Sequence, residues 1–176
     1  MRHMSKTHKD KSRKQNVKNE KTTASPNGAL PATSAEILKA LPEDVIPVLL
    51  EVAANARKMS HSPYSHYKVG AALLAGSGNV YGGCNVENAS YGLTICGERT
   101  AYVKAVSEGE SDFLAIAVVT DNGGSPCGAC RQFMAEFGLE TIVILADKKG
   151  NYNLTTVGGL LPDAFTPDKL TTVKLK

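Results

Sequence analysis

The sequence predicts an α/β protein: a three-layer α/β/α sandwich around a mixed five-stranded sheet. Three observations carry this. Apolar runs of strand length alternate with segments of helical spacing, a glycine-rich turn joins the first two runs as an antiparallel hairpin, and a later strand, loop, helix and strand call for a parallel crossover. The 176 residues suffice for one domain with one sizeable core.

The elements follow in order. A helical pattern sets in at Ser34, and after Pro42 the apolar residues Val45, Leu49, Val52 and Ala56 recur at helical spacing. Pro47 falls in the first turn, where a missing amide is tolerated, and Arg57-Lys58 suit the last. Val69–Leu74 and Val80-Tyr81 flank Gly76-Ser77-Gly78-Asn79, which reads as a hairpin over residues 69–83. A second helix runs from Cys96 to about Ser107 and ends at Glu108-Gly109. Phe113–Val119 is a continuous apolar run and so a buried strand, followed by the breaker cluster Asp121–Pro126. Cys127–Phe137 has helical spacing with Gly138 at its carboxyl end, and Thr141–Leu145 is a further buried strand. A weak strand near Tyr152–Thr156 and a short helix at Val157–Leu161 complete the sandwich.

Charge is unevenly placed. Residues 1–21 contain Arg2, Lys6, Lys9, Lys11, Arg13, Lys14, Lys18 and Lys21 against Asp10 and Glu20, so the remainder of the chain is mildly acidic and implies no nucleic-acid surface on the folded part. Residues 1–33 read as a disordered basic extension too poor in large apolar side chains to offset chain entropy, and residues 34–176 as a single domain. No run of 18 apolar residues is present and the amino terminus lacks an apolar signal region. No membrane partner and a cytoplasmic location are expected, and four cysteines suit a reducing compartment.

Cys96-Gly97-Glu98-Arg99 and Pro126-Cys127-Gly128-Ala129-Cys130 supply three soft ligands at the starts of two helices, where free amides and the helix dipole favour thiolates. Three thiolates leave one position of a tetrahedral Zn²⁺ open, as catalytic sites do. Glu98, two residues past a ligand, can reach that position as a proton shuttle. Three thiolates on Zn²⁺ give a net negative centre, and Arg99, one turn along from Cys96, can donate to a ligand sulfur and relieve it. Cys84 lacks paired spacing and is expected to be a free, largely buried cysteine. His61 and His66 precede the first strand as ordinary polar residues, although an imidazole ligand stays open.

These segments resemble those of the cytidine deaminases, the short all-cysteine branch of the zinc-dependent nucleoside deaminases, whose signature includes a three-cysteine variant. The resemblance spans residues 43–170 and includes Ser62-Pro-Tyr-Ser65, Tyr67–Ala72, Asn85–Tyr91, Cys127–Gln132 and Leu160–Phe165. It implies a cytidine deaminase-like fold, one Zn²⁺ per subunit on Cys96, Cys127 and Cys130, and Glu98 as catalytic acid and base. The implied reaction is hydrolytic deamination of cytidine and deoxycytidine within pyrimidine salvage. Asn85 and Glu87 would hold the ribose hydroxyls, and the Tyr67 ring would stack in the pocket. A homotetramer is also implied, with Ala89, Tyr91 and Phe165 at positions that reach a neighbour's active site. Two positions depart from the usual pattern: Tyr67 stands for phenylalanine and adds a hydroxyl that needs a partner, and Gly97 stands for alanine. Glu87 beside the sugar would repel a phosphate, which favours a free nucleoside. Two other classes stay open on residues alone: a nucleic-acid-editing deaminase and a zinc-stabilised interaction domain.

Overall fold

The structure, a computed structural model, describes residues 41, 42 and 44–170. The basic extension at 1–33 and the helical pattern from Ser34 to residue 40 lie outside the described residues. Helix α1 (Val45–Lys58) begins behind Asp44 with Pro47 in its first turn. Its buried residues are Ile46, Leu49 and Ala53; of the expected Val45, Leu49, Val52 and Ala56, Leu49 is buried and the other three are half-buried at the flank. Strands β1 (Gly70–Ala75) and β2 (Val80–Cys84) form the hairpin. A short 3₁₀ turn, Tyr91–Leu93, precedes helix α2 (Gly97–Ser107). Strand β3 (Phe113–Thr120), helix α3 (Gly128–Ala135) and strand β4 (Ile142–Asp147) follow, then β5 (Tyr152–Thr156), α4 (Val157–Leu160) and α5 (Pro167–Leu170).

The sheet order is β2-β1-β3-β4-β5. Only β3 and β4 pair in parallel, as a connection through a helix requires, and the other neighbours are antiparallel. Successive side chains on a strand point to opposite faces, and this builds two cores. Ala72, Leu74, Ala117 and Ile144 pack with α1 through Leu49 and Ala53. Leu73, Ile116, Val118 and Val143 pack on the other face with Ala101 and Tyr102 of α2 and Met134 of α3. Three layers result, and both helices that follow the cysteines, α2 and α3, share one side of the sheet.

Two local expectations are corrected. Helix α3 starts at Gly128 and stops at Ala135 instead of spanning Cys127–Phe137. Its last turn tightens, with Phe137 N–H donating to Met134 O at 3.1 Å, and the Phe137 ring joins an aromatic cluster 5.1 Å from Tyr102 and 5.4 Å from Phe113. Cys84 is half-buried rather than largely buried, and is a free thiol.

The position of α2 depends on a close approach. A Cβ at Gly83 would stand 2.4 Å from the amide nitrogen of Ala101 and 2.5 Å from the carbonyl oxygen of Gly97. Only glycine lets β2 lie directly on the first turns of the helix that Cys96 opens. Among the described residues no helix is long and apolar enough to cross a membrane.

Candidate metal centre and active site

The residues flanking Cys96 and Cys127 place both at helix starts. Cys96 stands in extended conformation immediately before α2, Cys127 does the same before α3, and Cys130 lies buried in the first turn of α3. The three sulfurs converge within 4.8 Å of one another, with Cys96 Sγ and Cys127 Sγ 3.9 Å apart and Cys127 Sγ and Cys130 Sγ 3.6 Å apart. Sulfurs about 2.3 Å from a tetrahedral zinc stand about 3.8 Å from each other. The cluster therefore fits Zn²⁺ with one position left to a water. Cys84 is not in it.

Arg99 reaches back along α2. Its Nη2 donates to Thr94 O at 3.0 Å and lies 3.7 Å from Cys96 Sγ. Hydrogen bonding from the Cys130 thiol, then from Arg99 and Cys127, holds the Cys96 thiol below the ordinary thiol range. Cys130 shifts the other way, because it shares its proton with the Cys96 sulfur and is buried.

Glu98 turns into the protein with only 3% of its surface exposed. Burial pushes its carboxyl up to about 7, aided by the charge of Cys96 and opposed by hydrogen bonds from its own amide and the Cys130 thiol. Its Oε2 has no hydrogen-bond partner among the described residues. A buried carboxyl oxygen without a partner beside three converging thiols is built to meet something that enters the site.

Glu87 follows β2 and is fixed by the segment ahead of β1 that it faces. Its Oε2 accepts from the amides of Tyr64 at 2.9 Å and Ser65 at 3.2 Å, and its Oε1 accepts from the Ser65 hydroxyl. The Ser65 hydroxyl and the Tyr64 amide, in that order, lower its pKa and keep it ionised. A cleft of about 260 Å³ opens there, lined by Tyr64, Ser65, Glu87, Tyr91 and Thr94. Asn85 is buried and stitches the loop: Nδ2 donates to Tyr67 O at 2.9 Å, while Oδ1 accepts from Val69 N at 2.9 Å and from the Ser60 hydroxyl. Among the described residues its amide has one N–H left for another acceptor.

Tyr67, Ala89 and Phe165 do not line that cleft. Tyr67 is partly exposed and its hydroxyl donates to Asn122 Oδ1 at 2.8 Å, which is the partner its extra oxygen needs. Ala89 and Phe165 are exposed, and Phe165 O accepts from Gln132 Nε2 at 2.7 Å. Tyr91 is 73% exposed, with its ring 5.7 Å from that of Tyr64. His61 bridges to Val86 through its backbone, and His66 adopts a left-handed conformation at φ 57° that turns the chain into Tyr67. Both lie outside the metal cluster.

Three contributors escape a reading of the sequence. Arg131 anchors the Cys127 loop by donating to Pro126 O at 2.8 Å and Leu160 O at 2.9 Å. Gln132 likewise donates to Phe165 O, and Asn122 Oδ1 accepts from the Tyr67 hydroxyl. The adjacent Cys-Gly-Ala-Cys-Arg-Gln string is the one signal that marks Arg131 and Gln132. Nothing local marks Asn122, which sits in a breaker cluster 55 residues from its partner.

An α/β/α sandwich carrying an open three-thiol zinc centre beside a buried carboxyl group defines the class of zinc-dependent nucleobase and nucleoside deaminases. The family model for the cytidine and deoxycytidylate deaminase zinc-binding region matches residues 46–146. A cytidine deaminase of Sporosarcina psychrophila is 50% identical over 125 residues, covering 69% of this chain and 92% of that protein. One from Halalkalibacterium halodurans is 51% identical over 126 residues, covering 70% and 96%. The crystal structure of cytidine deaminase from Burkholderia pseudomallei aligns with a TM-score of 0.66 at 50% identity, over 68% of this chain and 98% of that one. That from Mycobacterium tuberculosis aligns at 0.60 and 40% identity, over 68% and 95%. The chain belongs to the cytidine deaminase family.

Proposed function

We propose that this chain is a zinc-dependent hydrolase that converts cytidine and deoxycytidine to uridine and deoxyuridine with release of ammonia. The observation that carries the reading is the buried, unpartnered Oε2 of Glu98 beside the cluster of Cys96, Cys127 and Cys130. Zinc held by the three sulfurs supplies a Lewis acid that lowers the pKa of water at neutral pH. Every proton transfer then falls to Glu98. Its carboxylate takes a proton from the hydrolytic water as the water oxygen bonds to C4 of the cytosine ring, and delivers that proton to N3. The same carboxyl takes the second proton of that oxygen and passes it to the exocyclic amine, the C4–N bond breaks, and ammonia leaves. A buried carboxyl with a free oxygen beside the metal ligands is placed to accept and return these protons.

The Glu87 carboxylate and the spare N–H of Asn85 supply an acceptor and a donor for ribose hydroxyls, and the Tyr67 ring supplies a stacking face for the pyrimidine. An ionised Glu87 on the sugar side disfavours a nucleotide phosphate. The exposed Tyr91 and Phe165, with Ala89, suit contact with a second subunit, and we assign the working state as a homotetramer with shared active sites. Three thiol ligands suit a reducing compartment, which supports a cytoplasmic location.

The Glu98→Gln variant tests the reading. It keeps the size of the side chain and the three thiols, so zinc content holds at the wild-type level while turnover of cytidine falls by about two to four orders of magnitude. Near-wild-type turnover by a zinc-loaded Glu98→Gln protein would overturn it.

A further inference from the structure

We infer that Asn122 is a positioning residue that, by accepting the hydroxyl of Tyr67, fixes the Tyr67 ring between the sugar-binding side of the site and the loop that delivers Cys127. The inference rests on the proposed deaminase reading. Tyr67 is held at three points. Its amide donates to Ser65 Oγ at 3.0 Å, and that hydroxyl in turn donates to Glu87. Its carbonyl oxygen accepts from Asn85 Nδ2 at 2.9 Å. Its hydroxyl donates to Asn122 Oδ1 at 2.8 Å. One residue therefore links Asn85 and Glu87 to the segment 121–126 that runs into Cys127.

Two further observations support a built clasp. Asn122 Oδ1 also lies 3.4 Å from the Thr120 hydroxyl, whose oxygen accepts from Gly124 N at 2.7 Å. A Cβ at Gly124 would stand 2.5 Å from the Tyr67 hydroxyl oxygen and 3.3 Å from Asn122 Oδ1, so the hydroxyl occupies space that only glycine leaves. A second tie runs in parallel one residue along. Arg57 Nε donates to Lys68 O at 3.0 Å, and its Nη2 donates to Asp121 Oδ1 at 2.8 Å. Residues 67 and 68 are thus clamped to 122 and 121. A phenylalanine ring at position 67 could stack on a pyrimidine but could not be held at its far end.

The test is steady-state kinetics on the zinc-loaded full chain with cytidine. Loss of one neutral hydrogen bond weakens positioning by about 2- to 10-fold. Tyr67→Phe and Asn122→Ala should each raise KM by that factor with kcat changed no more than about twofold, and the double variant should be no worse than either. Asn122→Asp, which keeps an acceptor oxygen, should restore KM. Gly124→Ala should raise KM in the wild type and change nothing in Tyr67→Phe. An unchanged KM in Tyr67→Phe, additive effects in the double variant, or a loss of thermal stability with unaltered KM would overturn the clasp. Wild-type protein inert toward cytidine would overturn the deaminase reading and the clasp with it; an active wild type beside a silent Tyr67→Phe overturns the clasp alone.

Discussion

Arg99 Nη2 stands 3.7 Å from Cys96 Sγ while donating to Thr94 O at 3.0 Å, so the guanidinium is anchored by a backbone oxygen and turned toward one sulfur of the metal cluster. Three thiolates make zinc a poor acidifier of water unless their charge is drained, and a donor to a sulfur drains it. Arg99→Ala should keep the metal but lower kcat about tenfold, the lower end for a charge-assisted hydrogen bond because the side chain is only half-buried. Arg99→Lys should recover part of the loss. Equal kcat values for wild type and Arg99→Ala, at equal zinc content, would count against this role.

The sulfur geometry separates the four cysteines. Cys96, Cys127 and Cys130 converge and Cys84 stays apart. Cys127→Ala should lose zinc on brief chelator treatment, whereas Cys84→Ala should retain it, both read by metal analysis. Zinc loss from Cys84→Ala would mean a closed four-thiol centre with no position for water.

Stripped of metal, the protein should pay for its buried carboxyl. Burial raises Glu98 from its ordinary 4.5 to about 7, so the folded state holds that proton more tightly than the unfolded chain. Stability from this group is complete below pH 4.5 and is lost as pH rises through 7, by about 3 kcal/mol. Metal-free Glu98→Gln has no such titration. It should therefore be more stable in urea than metal-free wild type at pH 8, with the gap closing by pH 4.5. A gap independent of pH would remove burial of Glu98 as its cause.

What the sequence discloses depends on how local each relationship is. The hairpin, the β3–α3–β4 crossover and the two helix starts with cysteines follow from neighbouring residues, and so does Arg99, which meets Cys96 three positions back. The true end of α3 does not, because it is decided by Phe137 packing on Tyr102 and Phe113 from other elements. Asn122 is hidden for the same reason: alone it reads as part of a breaker cluster, and its meaning comes from a tyrosine 55 residues away. The helical spacing places Leu49 correctly on the buried face of α1, but the deepest positions beside it are Ile46 and Ala53, while Val45 and Val52 pack at the edge of the same core, because the sheet against which the helix lies is set by distant residues.

The most direct test of a three-thiol zinc centre worked by Glu98 is to titrate zinc into the metal-free chain while following conversion of cytidine by its ultraviolet absorbance. Turnover should rise in proportion to added metal and level off at one zinc per chain, with one uridine and one ammonia formed per cytidine consumed. A chain that binds one zinc yet converts neither cytidine nor deoxycytidine would contradict the account.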